Sequence, residues 1–246
     1  MMKITRFRAA GIHLGISAFI VLTVFGIMLA VWYPSPYFQA AGALGLITIL
    51  ASVDITVGPL LTLILFVPGK RGLLFDLCLI ACLQIGALSY GMWVVMAARP
   101  AYVVLAVDRF EVVPANQISF EDAKPPYDRA GFGGPVLVAA VPPKGQEGMK
   151  VSMGAVKTGI DIHNLARYYA PYDSQKKEGI AHGIAIPKVL AKHPEARAEI
   201  DALLTSHHLK PEETLILPVM ARQGVGSMFI RQADGEPLDA LWIDPW

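Results

Sequence analysis

The chain has 246 residues, 54% of them hydrophobic and 17% charged, with 21 basic against 20 acidic side chains. That charged fraction lies below the roughly 25% of ordinary soluble domains. With the signs so evenly divided there is no basic stripe for nucleic acid, and that class of partner is set aside. The charge is unevenly placed: residues 1–100 hold 6 basic and 2 acidic side chains, and residues 101–246 hold 15 and 18, a formal charge of −3.

In chain order, Lys3, Arg6 and Arg8 lead into the apolar run Ala10–Tyr33. A second run comes after a short break at Pro34-Ser35-Pro36, and a third after Pro68-Gly69-Lys70-Arg71-Gly72. Between Arg8 and Lys70 there is no basic residue, and Asp54 is the only acidic one. Each run exceeds the roughly 20 residues needed to cross a hydrocarbon core of about 30 Å. The fold class expected is a membrane protein: a three-helix transmembrane bundle (helices at about 9–33, 43–67 and 73–98, within residues 1–99), then an α+β extracytoplasmic domain at 100–246. The first run is too long for a signal-peptide core and no small-residue cleavage site follows Trp32-Tyr33-Pro34, so it is read as a retained anchor. Cys78 and Cys82 lie one turn apart inside the third run and say nothing of redox compartment.

Orientation comes from the positive-inside rule. Basic residues precede the first run and sit between the second and third, while the loop Pro34–Gln39 carries no charge. The N-terminus and the Lys70-Arg71 turn are therefore expected on the cytoplasmic side of the membrane, with everything after Arg99-Pro100 outside. Trp32, Tyr33, Tyr37 and Trp93 fall at the expected outer ends, where amphipathic rings suit the interface.

Polar residues inside these runs are candidates for function, because an ionisable group at the bilayer centre costs about 2.5–3.5 kcal/mol on insertion scales. Asp54 lies near the middle of the second run, with Gln84 at similar depth in the third as its expected partner. His13 and Asp76 are expected to form a second level nearer the cytoplasmic face. Gly58-Pro59 is expected to bend the second helix and free a backbone carbonyl. The site candidates are His13, Asp54, Gly58, Pro59, Asp76 and Gln84, read either as hydrogen-bonding glue between the three helices or as a proton relay or contact for another transmembrane helix.

Beyond Arg99, Ala101–Val107 and Phe110–Val113 read as two short strands and Pro135–Val141 as a third. Asp161 is a plausible N-cap for a helix over 162–169, and a helix is expected over 195–204. Strands at 214–220, 226–231 and 238–243, with a turn at Asp234-Gly235, complete an α+β domain with a mainly antiparallel sheet. His163, His182 and His193 show no paired-ligand spacing, Ser152 and Ser174 lack a nucleophile-elbow context, and the Gly131–Gly134 loop lacks a phosphate-loop lysine. Lys176-Lys177 reads as a solvated corner. No catalytic residue, metal or cofactor is expected.

The order of short motifs resembles the type IV pilin accessory proteins of the TfpX/TfpZ family. The matching residues are Gly11-Ile12-His13-Leu14 and Trp32-Tyr33-Pro34 in the first run, then Val53-Asp54 with Gly58-Pro59-Leu60-Leu61-Thr62-Leu63 in the second. Phe75-Asp76-Leu77, Gln84, Tyr90-Gly91, Arg99-Pro100 and Asp108-Arg109-Phe110 complete the set. The resemblance covers about the first 115 residues. It implies a non-catalytic inner-membrane chaperone that assists surface expression of a cognate type IV major pilin, with the pilus assembly machinery as a further partner. A membrane enzyme of pilin modification and an envelope ligand sensor are the alternatives.

Overall fold

A computed structural model describes residues 4–246. The chain forms two units, one comprising the chain up to Trp32 with Gly42–Ala98, the other Tyr33–Ala41 with Arg99–Trp246.

The first unit holds three helices long and apolar enough to cross a membrane, Arg6–Trp32, Ala43–Leu65 and Leu73–Ala97. Thr5 caps the first, its hydroxyl accepting from the Arg8 amide at 3.4 Å. The second and third start after Gly42 and Gly72, whose φ of +67° and +89° are left-handed positions that glycine adopts without a Cβ penalty. The first and third spans each pack on the second rather than along one another. Large apolar side chains such as Phe19, Leu22 and Leu74 point outward, an arrangement that suits hydrocarbon as the surrounding solvent.

Two of these helices are interrupted by a wider turn. The first span ends in a π turn, Met28–Trp32, and the second carries one at Val53–Val57, between α-helical segments Ala43–Ser52 and Gly58–Leu65. Pro59 explains the second. A bond series running i→i+5 through this turn would next link the Asp54 carbonyl to the nitrogen of Pro59, which has no hydrogen. The freed carbonyl expected from Gly58-Pro59 is that of Asp54.

The second unit is built on one sheet. Its strands are β1 (Pro100–Ala106), β2 (Arg109–Pro114), β3 (Val136–Ala140), β4 (Tyr169–Pro171), β5 (Ile184–Ala185), β6 (Thr214–Ala221), β7 (Gly224–Arg231) and β8 (Pro237–Leu241). They run in the order β4-β3-β1-β2-β6-β7-β8, with β5 on the edge of β6. The β1–β3 and β2–β6 pairs are parallel and the other five antiparallel. Both faces are covered, which is why every residue of β1 is buried. Alternate residues serve alternate faces: Val103 and Leu105 join Phe110, Leu217, Val219 and Ile230 on one side. Tyr102, Val104 and Ala106 join Val138, Ile162 and Tyr169 on the other. The Arg197–Ser206 helix buries Ile200, Leu203 and Leu204 against Ile216 and Phe229, closing the remaining part of the sheet.

One sequence expectation changes here, and three helices are added. The helix expected over 162–169 is two 3₁₀ turns, Ile162–Asn164 and Ala166–Tyr168, leading into β4. Asp161 does cap the first of them. However, the backbone of Ser119 pairs with this segment: its amide donates to the Asn164 carbonyl at 2.7 Å and its carbonyl accepts from the Ala166 amide at 3.0 Å. Long-range pairing thus consumes groups that a continuous helix needs. The helices Gly145–Thr158, Lys176–His182 and Ile186–Lys192 were not anticipated from the sequence. At the Lys176-Lys177 corner Lys177 is exposed, and the Lys176 Nζ pairs at the surface with Asp173 at 2.7 Å and Glu236 at 2.8 Å and sits 5.6 Å from the Tyr172 ring centre.

The loop between the first two spans packs within this second unit. Tyr37 lies against the core of Leu105, Phe110 and Leu217, and the Gln223 amide donates to the Ala40 carbonyl at 3.1 Å. Burial, reinforced by the nearby Asp239 carboxylate, pushes the Tyr37 phenol up to about 12.

Candidate functional site

Four of the six candidate residues meet in one place in the helical unit. The His13 Nε2 donates to Gln84 Oε1, since an amide oxygen can only accept. In the neutral ring the other nitrogen, Nδ1, then accepts from the Thr62 hydroxyl at 2.6 Å. Gln84 in turn donates through Nε2 to the Asp54 backbone carbonyl at 3.4 Å, the carbonyl that Pro59 leaves without its π-series partner. A directional chain of hydrogen bonds therefore links all three spans: Thr62 to His13, His13 to Gln84, Gln84 to Asp54.

Gly58 makes room for this chain. A Cβ built there would overlap the Gln84 side-chain amide, so the absence of a side chain lets Gln84 lie across the second span. Thr62 and Asp54 are 3% and 5% exposed, and Gly58 is also buried.

The structure corrects the two expected pairings. Gln84 meets the Asp54 backbone rather than its carboxyl group, because the π turn and Pro59 present a carbonyl with unmet acceptor capacity. His13 pairs with Gln84 and Thr62 rather than with Asp76. Asp76 lies in the first turn of the third span, where Lys70 from the preceding loop reaches its Oδ2 at 2.5 Å. An ion pair at the mouth of the bundle keeps both charges near water and avoids the desolvation cost of a deeper partner. Thr62 and the buried Ser17 were missed as site residues. The signal for Thr62 was its spacing: it lies four residues after Gly58 and eight after Asp54, on one face of the second span.

The same face opens into a groove of about 530 Å³. Its walls are the first and third spans and its floor is the second, contributing Asp54, Thr62 and Phe66. The Asp54 carboxyl group accepts no hydrogen bond among the described residues. Ala9, Ile12, His13, Ile16 and Ile20 line one wall; Leu77, Ile80, Gln84 and Leu88 are among those lining the other.

In the sheet unit three tyrosine hydroxyls are satisfied by backbone carbonyls. The Tyr102 hydroxyl donates to the Arg129 carbonyl at 3.0 Å, Tyr169 to that of His163 at 2.5 Å and Tyr172 to that of Gly235 at 2.6 Å. Burial raises all three phenols, Tyr172 to about 12. Arg109 donates to Glu111 at 2.7 Å, and that bond raises its guanidinium above the usual range. Among the described residues no group of three or more His, Cys, Asp or Glu could hold a metal ion.

Comparison with known proteins finds relatives named for fimbrial assembly. The family profile described as "Fimbrial assembly protein FimB" matches residues 3–42. Two relatives from Dichelobacter nodosus are similar along the whole chain. The "Fimbrial assembly protein, serogroup I" is 29% identical over 96% of this chain and 95% of its own. The "Fimbrial assembly protein, serogroup E1" is 28% identical over the same shares. The "Fimbrial assembly protein, serogroups C1 and C2" of the same organism is 33% identical over 47% of this chain and 89% of its own. No solved structure matches significantly. On these likenesses the chain belongs to the fimbrial assembly protein family.

Proposed function

We propose that this chain is a membrane-embedded assembly factor for a type IV pilus. It binds its cognate pilin and modulates that subunit's stability, assembly or surface expression, without catalysing a reaction. The observation that carries the reading is similarity over 96% of the chain to two proteins named for fimbrial assembly. The motif set resembling the TfpX/TfpZ family supports the type IV assignment. In this reading the three spans sit in the bacterial inner membrane with the N-terminus cytoplasmic and residues 100–246 in the periplasm, as the Lys and Arg placement argues. The chain then has one surface in the bilayer and one outside it, and engaging a membrane-held subunit at both raises the effective concentration of the second contact.

A non-catalytic role is supported by the disposition of the carboxylates. Shared acid–base work needs two groups within reach of one reacting atom, whereas Asp76 is tied to Lys70 and Asp54 lies in the π turn of another span. The test is deletion of the gene combined with capture of a tagged full-length chain from detergent-solubilised membranes. Surface pili are expected to fall while pilin transcript persists, and pilin is expected to co-purify. Normal piliation with no pilin captured overturns the reading.

A further inference from the structure

We infer that the groove between the first and third spans seats a fourth transmembrane helix, contributed by the partner subunit and carrying a hydrogen-bond donor at the depth of Asp54. The inference rests on the pilin-binding reading and names the surface through which binding occurs.

The groove has the form of a helix. On the first span, Ala9, Ile12, His13, Ile16, Ser17 and Ile20 line it, and on the third, Leu77, Ile80, Ala81, Gln84, Ile85 and Leu88. Both stripes advance by the same increments of 0, 3, 4, 7, 8 and 11, the repeat by which one helix presents a face to another. Each stripe extends over about 16 Å at 1.5 Å per residue, three full turns. The two stripes face a shared open space, because the first and third spans each pack on the second instead of closing along one another. A small molecule does not need three turns of matched periodicity on two walls, and a helix does.

The floor says what that helix carries. Asp54 is 5% exposed, lines the groove, and its carboxyl group has no hydrogen-bond partner among the described residues. His13 is committed to Thr62 and Gln84, and Gln84 to the Asp54 carbonyl; the Ser17 hydroxyl, which also lines the groove, makes no hydrogen bond to the Asp54 carboxyl group among the described residues. An acceptor left unpaired in hydrocarbon is costly, and such residues face a bundle interior or a partner. A lipid chain filling the groove offers it nothing. A helix bearing a hydroxyl, amide or amine side chain supplies the missing donor while its apolar residues cover the two walls, with packing and interhelical hydrogen bonding as the driving forces.

The experiment uses the full-length chain in its own membranes together with the cognate pilin. A photocrosslinking residue replaces Ile16 on one wall or Leu88 on the other, with Phe19 and Leu83, exposed apolar positions outside the groove, as controls. Val156, 91% exposed in the sheet unit, is a third site. Pilin adducts are expected from Ile16 and Leu88 and not from Phe19 or Leu83. Ala81→Trp, which fills the groove from one wall, and Asp54→Leu, which removes the acceptor, are each expected to cut the adduct by about tenfold, the equivalent of one strong contact. Asp54→Asn, which keeps an acceptor, retains it. Immunoblotting of the membrane fraction establishes that each variant is present, and Ala81→Trp carries the test if Asp54→Leu does not accumulate. Pilin captured from Val156 but not from the groove overturns the groove and leaves the pilin-binding reading standing. Adducts from Ile16 only to lipid, or only to a second copy of this chain, likewise overturn the groove. Pilin captured from no position, with normal piliation, overturns both.

Discussion

At the scale of single residues, the helical unit depends on a glycine and an amide. Gly58 lets Gln84 lie across the second span, where it holds the Asp54 carbonyl and the His13 ring together. Gly58→Ala pushes that amide aside. Interhelical hydrogen bonds are worth roughly 0.6 kcal/mol each on average, so losing two of them with some packing costs the bundle about 1–2 kcal/mol. The midpoint of detergent-induced unfolding of the full chain in micelles measures this, and an unchanged midpoint refutes the role given to Gly58. In the sheet unit the phenols of Tyr37 and Tyr172, both pushed up to about 12 by burial, set a pH dependence. Their folded values lie above the unfolded value near 10, so the neutral ring is the form that folding favours. The stabilisation is fully present below about pH 10 and is lost as pH rises towards 12. Thermal melting of the full chain should therefore fall across that window, and Tyr172→Phe should flatten the fall. It should also lower stability at pH 7 by about 1 kcal/mol through the lost bond to the Gly235 carbonyl.

At the scale of elements, the central strand and the covering helices carry the second unit. Leu105 on β1 is 1% exposed and packs with Phe110 and Leu217. Leu105→Ala is expected to cost about 2–5 kcal/mol, the range for a large side chain truncated where neighbours cannot collapse into the space. Chemical denaturation of the sheet unit, monitored by tryptophan fluorescence in the full chain, reads that loss. The strands were legible in the sequence because β-branched runs and a turn at Asp234-Gly235 are local signals. The 162–169 segment was not, because its helical signature is local while the Ser119 pairing that defeats it joins residues more than forty positions apart. The Gly145–Thr158 helix was hidden for another reason. It contains three glycines and has no buried residue, so neither propensity nor a conventional apolar face announced it.

At the scale of the whole molecule, the consequence to test is topology. A periplasm-dependent reporter such as alkaline phosphatase, fused after Trp246, is expected to be active, and one fused within the Lys70-Arg71 turn to be inactive. The reverse pattern would remove the outward placement of residues 100–246 and with it the two-surface account of pilin binding. The loop Tyr33–Ala41 adds a point the sequence did not disclose. It is an uncharged stretch between two spans, yet Tyr37 belongs to the core of the sheet unit. Burying an aromatic ring there gives the loop a structural role that charge counting cannot detect.

The sequence by itself determined the membrane class, the number of spans and the α+β, mainly antiparallel character of residues 100–246, because length, hydropathy, β-branched runs and turn residues act locally. It also named the polar residues that matter, since a charged or amide side chain within twenty apolar ones is conspicuous wherever it points. Only the tertiary structure decided who pairs with whom. The π turn ahead of Pro59 turns the Asp54 carbonyl towards Gln84, the Lys70 loop takes Asp76 away from His13, and the first and third spans stand apart to leave a groove. Those outcomes depend on azimuth and on the distance between helices, and helical rise along one chain encodes neither.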